Sequence, residues 1–276
     1  MKSKSASRSK ALLKGLIVPL LLLVIWESCS RAGVVSNVVL PSPSAVMASW
    51  LASVKPVRPF DVHAGSYLQW FFSGEILRDA VSTMSRVLMG FCVGAGLALP
   101  LGLMMGASKH VYGLVNPMMQ VLRPIPPIAY IPLSILWFGL GNPPSIFLIS
   151  IGAFFPVLMS TIAGVRHVDS IYIRAAQNLG VNQMTMFWRV ILPAATPYIF
   201  AGVRIGIGTA FICVIIAEMI AVNDGLGFRI LEAREFMWSD KIIAGMITIG
   251  ILGLAIDLVM DKLNSYLLRW HRSLEQ

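Results

Sequence analysis

Six stretches of the chain are predominantly apolar, and each has about the length that a membrane-spanning helix requires, roughly 20 residues. They cover residues 12–30, 87–105, 111–140, 146–165, 198–222 and 242–260. The third stretch is the longest and is interrupted by Pro124, Pro126, Pro127 and Pro132, which favours a broken helix because proline has no backbone N–H. The pattern predicts an all-α integral membrane protein with six transmembrane helices.

The polar segments between these stretches predict the organisation of the chain. We expect a tail, a first transmembrane helix, an external segment, a core of five further helices and a second tail, at residues 1–11, 12–32, 33–78, 79–265 and 266–276. The external segment contains four apolar residues spaced along one helical face, Met47, Trp50, Leu51 and Val54. It also contains three aromatic residues that we expect at the membrane interface, Trp70, Phe71 and Phe72.

The composition agrees with a membrane protein and excludes several other classes. Only 13% of the residues are charged and 57% are hydrophobic, whereas a soluble domain has about 25% charged residues. The mean hydropathy is +0.76. A soluble enzyme, a disordered protein and a nucleic-acid-binding domain are therefore excluded, despite a net charge of +9. The three cysteines form no Cys-x-x-Cys pair and are expected to be small buried apolar residues.

The distribution of basic residues predicts the orientation. With a cytoplasmic N-terminus, the internal segments hold twelve of the 22 lysines and arginines, although the external segments are longer in total. We therefore expect both termini on the cytoplasmic side of the membrane. The basic N-terminus followed by an apolar run also suits a signal peptide, but no convincing cleavage site follows it. We expect the first helix to be retained.

The main internal loop, residues 166–197, contains clear helix boundaries. Asp169 is an expected N-cap for a short helix that ends at Gly180, where a left-handed residue is needed. Asn182 is an expected N-cap for a second helix that carries Met184, Phe187 and Trp188 and stops before Pro193. Two short helices at an angle predict a compact knob with an exposed apolar face, with an ordinary interfacial loop as the alternative.

This loop resembles the EAA loop of type I ABC importer permeases. In that family the pattern is Glu-Ala-Ala-x3-Gly-x9-Ile-x-Leu-Pro, and this chain has Arg174-Ala175-Ala176, Gly180 and Val190-Ile191-Leu192-Pro193 at the same spacing. The chain departs from the pattern at Arg174, which replaces Glu, and at Val190, which replaces Ile. The first departure puts a local salt bridge of the family in doubt.

Further motifs resemble the nitrate/sulfonate/taurine subfamily of these permeases. They occur in order along the chain: Leu40-Pro41-Ser42-Pro43, Arg123-Pro124-Ile125-Pro126-Pro127, Ile131-Pro132-Leu133, Trp137-Phe138-Gly139-Leu140-Gly141, Gly202-Val203-Arg204-Ile205-Gly206, Ala217-Glu218-Met219-Ile220 and Gly225-Leu226-Gly227. Each motif alone is weak, but the ordered set covers nearly the whole chain and is specific.

The resemblance implies the type I permease fold and a set of partners. These are a second copy of the permease, two cytoplasmic ABC ATPases, a periplasmic or lipid-anchored solute-binding protein, and membrane lipid; no nucleic acid is expected. It also implies that the internal loop supplies a coupling helix for the ATPase, with contacts from Arg174, Ala175, Ala176, Leu179 and Gly180. ATP and Mg²⁺ are expected on the ATPase, because the sequence has no phosphate-binding Gly-x4-Gly-Lys-Ser/Thr loop and no zinc motif. We therefore expect no enzyme activity and no cofactor on this chain.

The proline break predicts part of a translocation path. Backbone groups freed by a broken helix must line a protein cavity or water, and such breaks are common at solute sites. Arg123, Pro126 and Pro127 lie at the break, and Glu218 lies deep in the fifth apolar stretch. Arg123 is expected to attract an anion, to pair with a free carbonyl or to extend to an interface. Glu218 is expected to pair with an arginine across a dimer, to bond backbone amides or to act as a gate.

Other features of the spans are expected to be structural. Arg204 is expected to extend to the inner interface, and Asp257 and Asp261 to pair with Lys262 or Arg269. Three glycines of the fifth stretch predict a face for close helix packing: Gly202, Gly206 and Gly208.

The expected function is the permease subunit of an ATP-driven importer for a small anion, working by alternating access. The motifs favour an organosulfonate such as taurine or an alkanesulfonate, with nitrate, nitrite, bicarbonate or another small solute as alternatives. An ion-coupled secondary transporter is disfavoured because there is no inverted repeat and there are few carboxylates in the spans. A membrane enzyme is disfavoured because no catalytic constellation is visible.

The predicted orientation is tested by labelling single cysteines with a membrane-impermeant thiol reagent. Cysteines placed at Ser66 and Asn223 should react from outside intact cells, whereas a cysteine at Asn182 should react only after the membrane is opened. The reverse pattern would refute the orientation.

Overall fold

The computed structural model describes the backbone of residues 2–56, 70 and 73–267, and side chains from residue 17 onward. All regular structure in this part of the chain is helical, which confirms the predicted all-α class. The helices are α1 Lys2–Arg31, α2 Pro43–Val54, α3 Glu75–Ala107, α4 Lys109–Leu122, α5 Ile131–Phe138, α6 Asn142–Arg166, α7 Ser170–Asn178, α8 Gln183–Met186, α9 Leu192–Ala221, α10 Leu226–Glu235 and α11 Ser239–Leu267. Phe71, Phe72, Ser66 and Arg269 lie outside the described residues.

Four of the described helices are long and apolar enough to cross a membrane. They are α3, α6, the continuous helical segment Gln183–Ala221, and α11. A fifth span is formed if α4 and the segment Pro127–Phe138 are counted together, with a bend of 85° between them. The predicted first span falls in α1. Because the side chains of residues 2–16 are not described, the total of six spans stays a prediction.

The chain forms two compact units, of which the first comprises residues 1–78 and 229–248. In this unit the end of α1 is tied to the start of α2. The indole of Trp26 donates to the carbonyl of Pro41 at 3.0 Å, and the carboxylate of Glu27 accepts from the N–H and hydroxyl of Ser44. The buried face of α2 contains Val46, whereas Met47 and Leu51 are exposed. The predicted helix is therefore present, and part of its apolar face, at Met47 and Leu51, is exposed.

The second unit, residues 79–228 and 249–276, is built around α6. This helix begins at Asn142 with two prolines in its first turn, where no helical N–H is needed. One apolar cluster combines Val87 of α3 with Ile149 and Ala153 of α6 and Val214 of α9. A second cluster packs residues of α3 and α4 against the other half of α6. The helix α6 is therefore the central element of this unit.

Glycines allow α3 to approach the backbone of α6 closely. A Cβ added to Gly94 would lie 2.3 Å from the carbonyl oxygen of Ser150, and one added to Gly90 would lie 2.6 Å from the side chain of Ile149. Cβ atoms added to Gly102 and Gly106, farther along the helix, would also lie too close to side chains of α6. These glycines are four or eight residues apart and therefore share a face of α3.

The predicted glycine face of α9 is confirmed at two of its three positions. Added Cβ atoms at Gly202 and Gly206 would lie 2.4 Å from Ser160 and 2.8 Å from Val157 of α6. Gly208 has nothing within 4 Å of an added Cβ, so its assignment to this packing face was wrong. The helical period explains the difference, because Gly208 is two residues from Gly206 and faces another direction.

The prediction that a short helix stops before Pro193 was also wrong. The chain passes from α8 through a π turn, Phe187–Ile191, directly into α9, with Pro193 in its first turn. In the π turn the N–H of Leu192 donates to the carbonyl of Phe187, five residues earlier. This wider turn accommodates the missing N–H of proline without ending the helix.

The close packing of α3 on α6 predicts different effects for two neighbouring glycines. Gly94→Ala should lower the free energy of unfolding by about 1–3 kcal/mol because its methyl group overlaps the Ser150 backbone. The control Gly96→Ala lies on the same helix with nothing within 4 Å, and should be neutral or stabilising by up to about 1 kcal/mol. The melting temperatures of the purified variants in detergent test this. Equal melting temperatures would contradict the packing.

Candidate functional site

The chain is sharply broken between α4 and α5, as the prolines predict. The helix α4 ends at Leu122, and the N–H of Arg123 still donates to the carbonyl of Met119 at 2.9 Å. Ile125 makes one turn bond to Leu122, and Pro126 is extended. The chain then enters a 3₁₀ turn, Pro127–Tyr130, and continues into α5.

A cavity of about 410 Å³ lies beside this break. Three polar side chains line it, Arg123, Ser160 and Thr209. The other lining side chains are largely apolar and come from the break, α6 and α9: Ile125, Pro127, Ile151, Phe155, Pro156, Met159 and Ile205. The Thr209 hydroxyl already donates to the carbonyl of Ile205 at 2.9 Å, so Arg123 and Ser160 are the donors left for an anion. A single cation, one free hydroxyl and apolar walls suit a small anion that carries an apolar part.

The structure brings only some of the predicted path residues to this cavity. Arg123 and Pro127 line it, but Pro126 and Glu218 do not. The Arg123 side chain is exposed and has no hydrogen-bond or ion-pair partner within the described part of the chain. The structure therefore does not show the pairing of Arg123 with a free carbonyl, which was one of the three alternatives. A role in the path stays a prediction for all four residues.

Glu218 is fully buried and paired within its own chain. Its carboxylate accepts from the guanidinium of Arg86 at 2.7 Å, from the hydroxyl of Thr83 at 2.9 Å and from the N–H of Gly227 at 3.0 Å. Of the sequence-based alternatives, pairing with an arginine and bonding to a backbone amide are both present. The arginine belongs to α3 of the same chain, whereas the alternative had placed it across a dimer.

Arg86 is the functional candidate that the sequence reasoning missed. Its guanidinium also donates to the side chain of Asn142 at 2.7 Å and to the carbonyl of Asp224 at 3.1 Å, and pairs with the Asp224 carboxylate. The spacing of polar residues in the sequence does indicate that Arg86 is buried. Asp79, Thr83 and Arg86 recur at i, i+4 and i+7, so these three polar residues share one face of α3, and all three are buried.

A second ion pair joins α9 and α11. Arg204 contacts Asp257 at 2.7 Å and Asp261 at 3.2 Å. Arg204 is therefore their partner in place of the expected Lys262, while the alternative partner Arg269 lies outside the described residues. Residues four apart lie on the same helical face, so Asp257 and Asp261 both point to one cation on the neighbouring helix. The three groups are partly exposed, in contrast to Arg86 and Glu218.

The internal loop forms the predicted pair of capped helices. The Asp169 carboxylate accepts from the N–H of Ile171 at 2.9 Å, and the Asn182 side chain accepts from the N–H of Thr185 at 2.8 Å. Gly180 has a φ of +71° and ends α7, while Val181 donates back to the carbonyl of Ala176. Both caps and the left-handed glycine were predicted correctly. We call residues 170–191 the helical knob.

The helical knob exposes large apolar side chains. Leu179 is 82% exposed and Met184 69%, and three further residues are exposed: Ile171, Tyr172 and Trp188. Arg174, Ala175 and Gly180 are also exposed, whereas Ala176 is buried by its own chain. The apolar face of the knob is therefore available for contact, but Ala176 is not part of it.

Comparisons with known proteins place this architecture in a family. Residues 98–273 match the family described as "Binding-protein-dependent transport system inner membrane component". The chain is 34% identical to the taurine transport system permease protein TauC of Escherichia coli (strain K12) over 250 residues, which are 91% of this chain and 86% of TauC. It is 33% identical to the putative aliphatic sulfonates transport permease protein SsuC of Bacillus subtilis (strain 168) over 275 residues, 100% of this chain and 94% of SsuC.

The fold is similar to that of a solved transporter. The inward-facing MetNI methionine ABC transporter matches with a TM-score of 0.63 at 18% identity, covering 73% of this chain and 99% of the matched chain. This likeness concerns the fold, whereas the family rests on the sequence matches. The chain belongs to the family of binding-protein-dependent transport system inner membrane components and is a permease subunit of an ABC importer.

Proposed function

We propose that this permease moves a small organosulfonate, such as taurine or an alkanesulfonate, into the cell by alternating access. The observation that carries the proposal is the unpaired guanidinium of Arg123 in a cavity with otherwise largely apolar walls. A guanidinium binds oxyanions through two parallel hydrogen bonds, and apolar walls favour a solute with a carbon chain. The names of TauC and SsuC refer to taurine and to aliphatic sulfonates.

Nitrate, nitrite and bicarbonate are the alternative solutes. They carry the same charge as a sulfonate and would also be attracted by Arg123. They lack an apolar part, however, and the side chains of Ile151, Phe155 and Met159 offer such ions no hydrogen bonds. The lining therefore favours a sulfonate that carries a hydrocarbon chain over these ions.

The energy for transport comes, in this proposal, from ATP and Mg²⁺ on two separate ATPase subunits. The exposed apolar face of the helical knob supports this, because a small apolar helix face suits a groove on a partner protein. A second copy of the permease completes the transmembrane unit, and a solute-binding protein delivers the anion from outside. Both termini and the helical knob then lie on the cytoplasmic side.

The ATPase contact is tested with two aspartate substitutions on the helical knob. Ile171, Ala175 and Leu179 are four residues apart on one face, and Gln177 lies on another. Leu179→Asp should weaken ATPase binding by about 2 kcal/mol, or roughly thirtyfold, because it places a charge in an apolar contact. The control Gln177→Asp adds the same charge and should bind normally.

Retention of the ATPase in detergent pull-downs measures this effect. Gly180→Leu should also lose the ATPase, since a Cβ is strained at a φ of +71°. Normal retention in both Leu179→Asp and Gly180→Leu would contradict the coupling role.

The role of Arg123 is tested by ATP-dependent uptake of taurine in proteoliposomes. Arg123→Ala should lower uptake about ten- to hundredfold, because a hydrogen bond to a charged group contributes about 1.5–3 kcal/mol. Arg123→Lys should restore part of the rate, since the positive charge remains although the planar fork is lost. The control Lys109→Ala removes one charge from the other end of α4, the helix that ends just before Arg123, and should transport normally.

Two further measurements separate the possible roles of Arg123. The affinity of the binding protein for taurine should be the same in all reactions, because Arg123 acts only during passage. The melting temperature of Arg123→Ala should stay near that of the wild type, since the side chain has no partner to lose. Normal uptake by Arg123→Ala would eliminate the anion path.

A further inference from the structure

One buried guanidinium joins three separate parts of the second unit. Arg86, in α3, is 4% exposed and Glu218, in the last turn of α9, is 0% exposed. The other acceptors of Arg86 are Asn142, which is the first residue of α6, and Asp224, in the turn after α9. A guanidinium has donors in a fixed planar arrangement, so these acceptors are held in one geometry relative to α3.

The turn 222–227 is built directly onto the Glu218 carboxylate. Gly225 has a φ of +101°, and a Cβ added there would lie 2.4 Å from that carboxylate. The turn ends at the start of α10, where helical N–H groups have no partner within the helix. The N–H of Leu226 donates to the Thr83 hydroxyl at 3.0 Å, and the N–H of Gly227 donates to Glu218. The turn is therefore held by side chains of α3 and α9.

The end of α9, which carries Glu218, is also connected to the broken helix. The helix α5 is followed by Gly139 and Gly141, both with positive φ, and the N–H of Gly141 donates to the carbonyl of Ala221 at 2.7 Å. Residue Ala217 of α9 is buried in a cluster with Ile131 of α5. The segment that contributes Pro127 to the cavity is thus packed, through α5, on the part of α9 that carries Glu218.

We propose that Arg86 and Glu218 are positioning residues that couple the turn 222–227 to the broken helix and its cavity. The proposal rests on the proposed importer function, in which the turn lies on the external side and the cavity on the solute path. When the turn shifts, the paired side chains carry the shift to the start of α6 and to α5. Without the Arg86–Glu218 pair, docking of the solute-loaded binding protein no longer stimulates ATP hydrolysis.

Stability alone does not account for a charged group at this place. Removing ions from water is costly, and replacing a buried ion pair by well-packed apolar side chains is often neutral or stabilising. An apolar contact, however, fixes neither the distance nor the angle between several acceptors. The planar guanidinium, with Asn142, Glu218 and Asp224 around it, fixes both.

The test uses Glu218→Gln in the assembled complex with its ATPase and binding protein. Glutamine keeps the shape of the side chain and one acceptor oxygen, but it removes the charge that faces Arg86. The matched control is Asp257→Asn, which makes the same change in the ion pair of Arg204. The first readout is the factor by which the binding protein with taurine stimulates ATP hydrolysis in proteoliposomes. The second is the mobility of a spin label on a cysteine at Asn223, an exposed residue of the turn, with Cys29, Cys92 and Cys213 changed to Ala.

We expect the stimulation factor of Glu218→Gln to fall about fivefold or more, at the lower limit of typical coupling between sites. We also expect its spin label to become more mobile, while Asp257→Asn keeps the wild-type values of both. If Glu218→Gln does not assemble, Thr83→Val is measured in its place, because it removes only one donor to Glu218 and one acceptor for the turn.

The outcomes separate this inference from the proposed function. A lower melting temperature with wild-type stimulation and label mobility would show that the pair is only structural, and would overturn the inference. An equal fall in stimulation for Asp257→Asn would also overturn it. If the wild-type complex shows no stimulation by taurine, the proposed solute fails. The label mobility still decides whether Glu218 positions the turn.

Discussion

The structure depends on how closely α3 and α9 approach α6. In lipid, burial of apolar surface between helices gives little driving force, because the acyl chains are as apolar as leucine. Van der Waals contact between backbones must supply the attraction instead, and it is lost over fractions of an ångström. Gly94 and Gly202 permit that contact because even one added carbon would overlap α6. The central helix then fixes the positions of the break, the cavity and the ion pairs around it.

Three arginines of the spans, Arg86, Arg204 and Arg123, differ in whether they have partners. Arg86 is buried and bound by four groups, and Arg204 is bound by two aspartates of α11. Arg123 has neither a carboxylate nor a carbonyl partner in the described part of the chain, and it lines the cavity. An unpaired charge within a membrane is costly, so structural cations are expected to be paired. Among Arg86, Arg204 and Arg123, only Arg123 therefore keeps donors with which it could bind an anion.

Local signals in the sequence were sufficient for the all-α class, for the proline break and for the caps of the helical knob. The caps at Asp169 and Asn182, the left-handed Gly180 and the proline break each depend on residues close together in the chain. The arginine partner of Glu218 and the aspartate partners of Arg204 were not predictable in this way, because they lie more than 50 residues away on other helices. Ala176 is an intermediate case. The EAA resemblance marks it for contact, but only the packing of the knob shows that its own chain buries it.

Arg86 and Arg123 meet two different requirements of transport. Transport needs segments that move as connected bodies, and it needs a site that binds the solute weakly enough to release it. A guanidinium such as Arg86, with four hydrogen bonds inside the chain, serves the first requirement, because moving one of its acceptors alone would strand buried polar groups. It is poorly suited to the second, since four of its five N–H donors are already bonded. Arg123 has free donors at the proline break, so in the proposed function it exchanges an anion without disrupting the packing of α6. In that function the rigid connection and the binding group lie on different arginines.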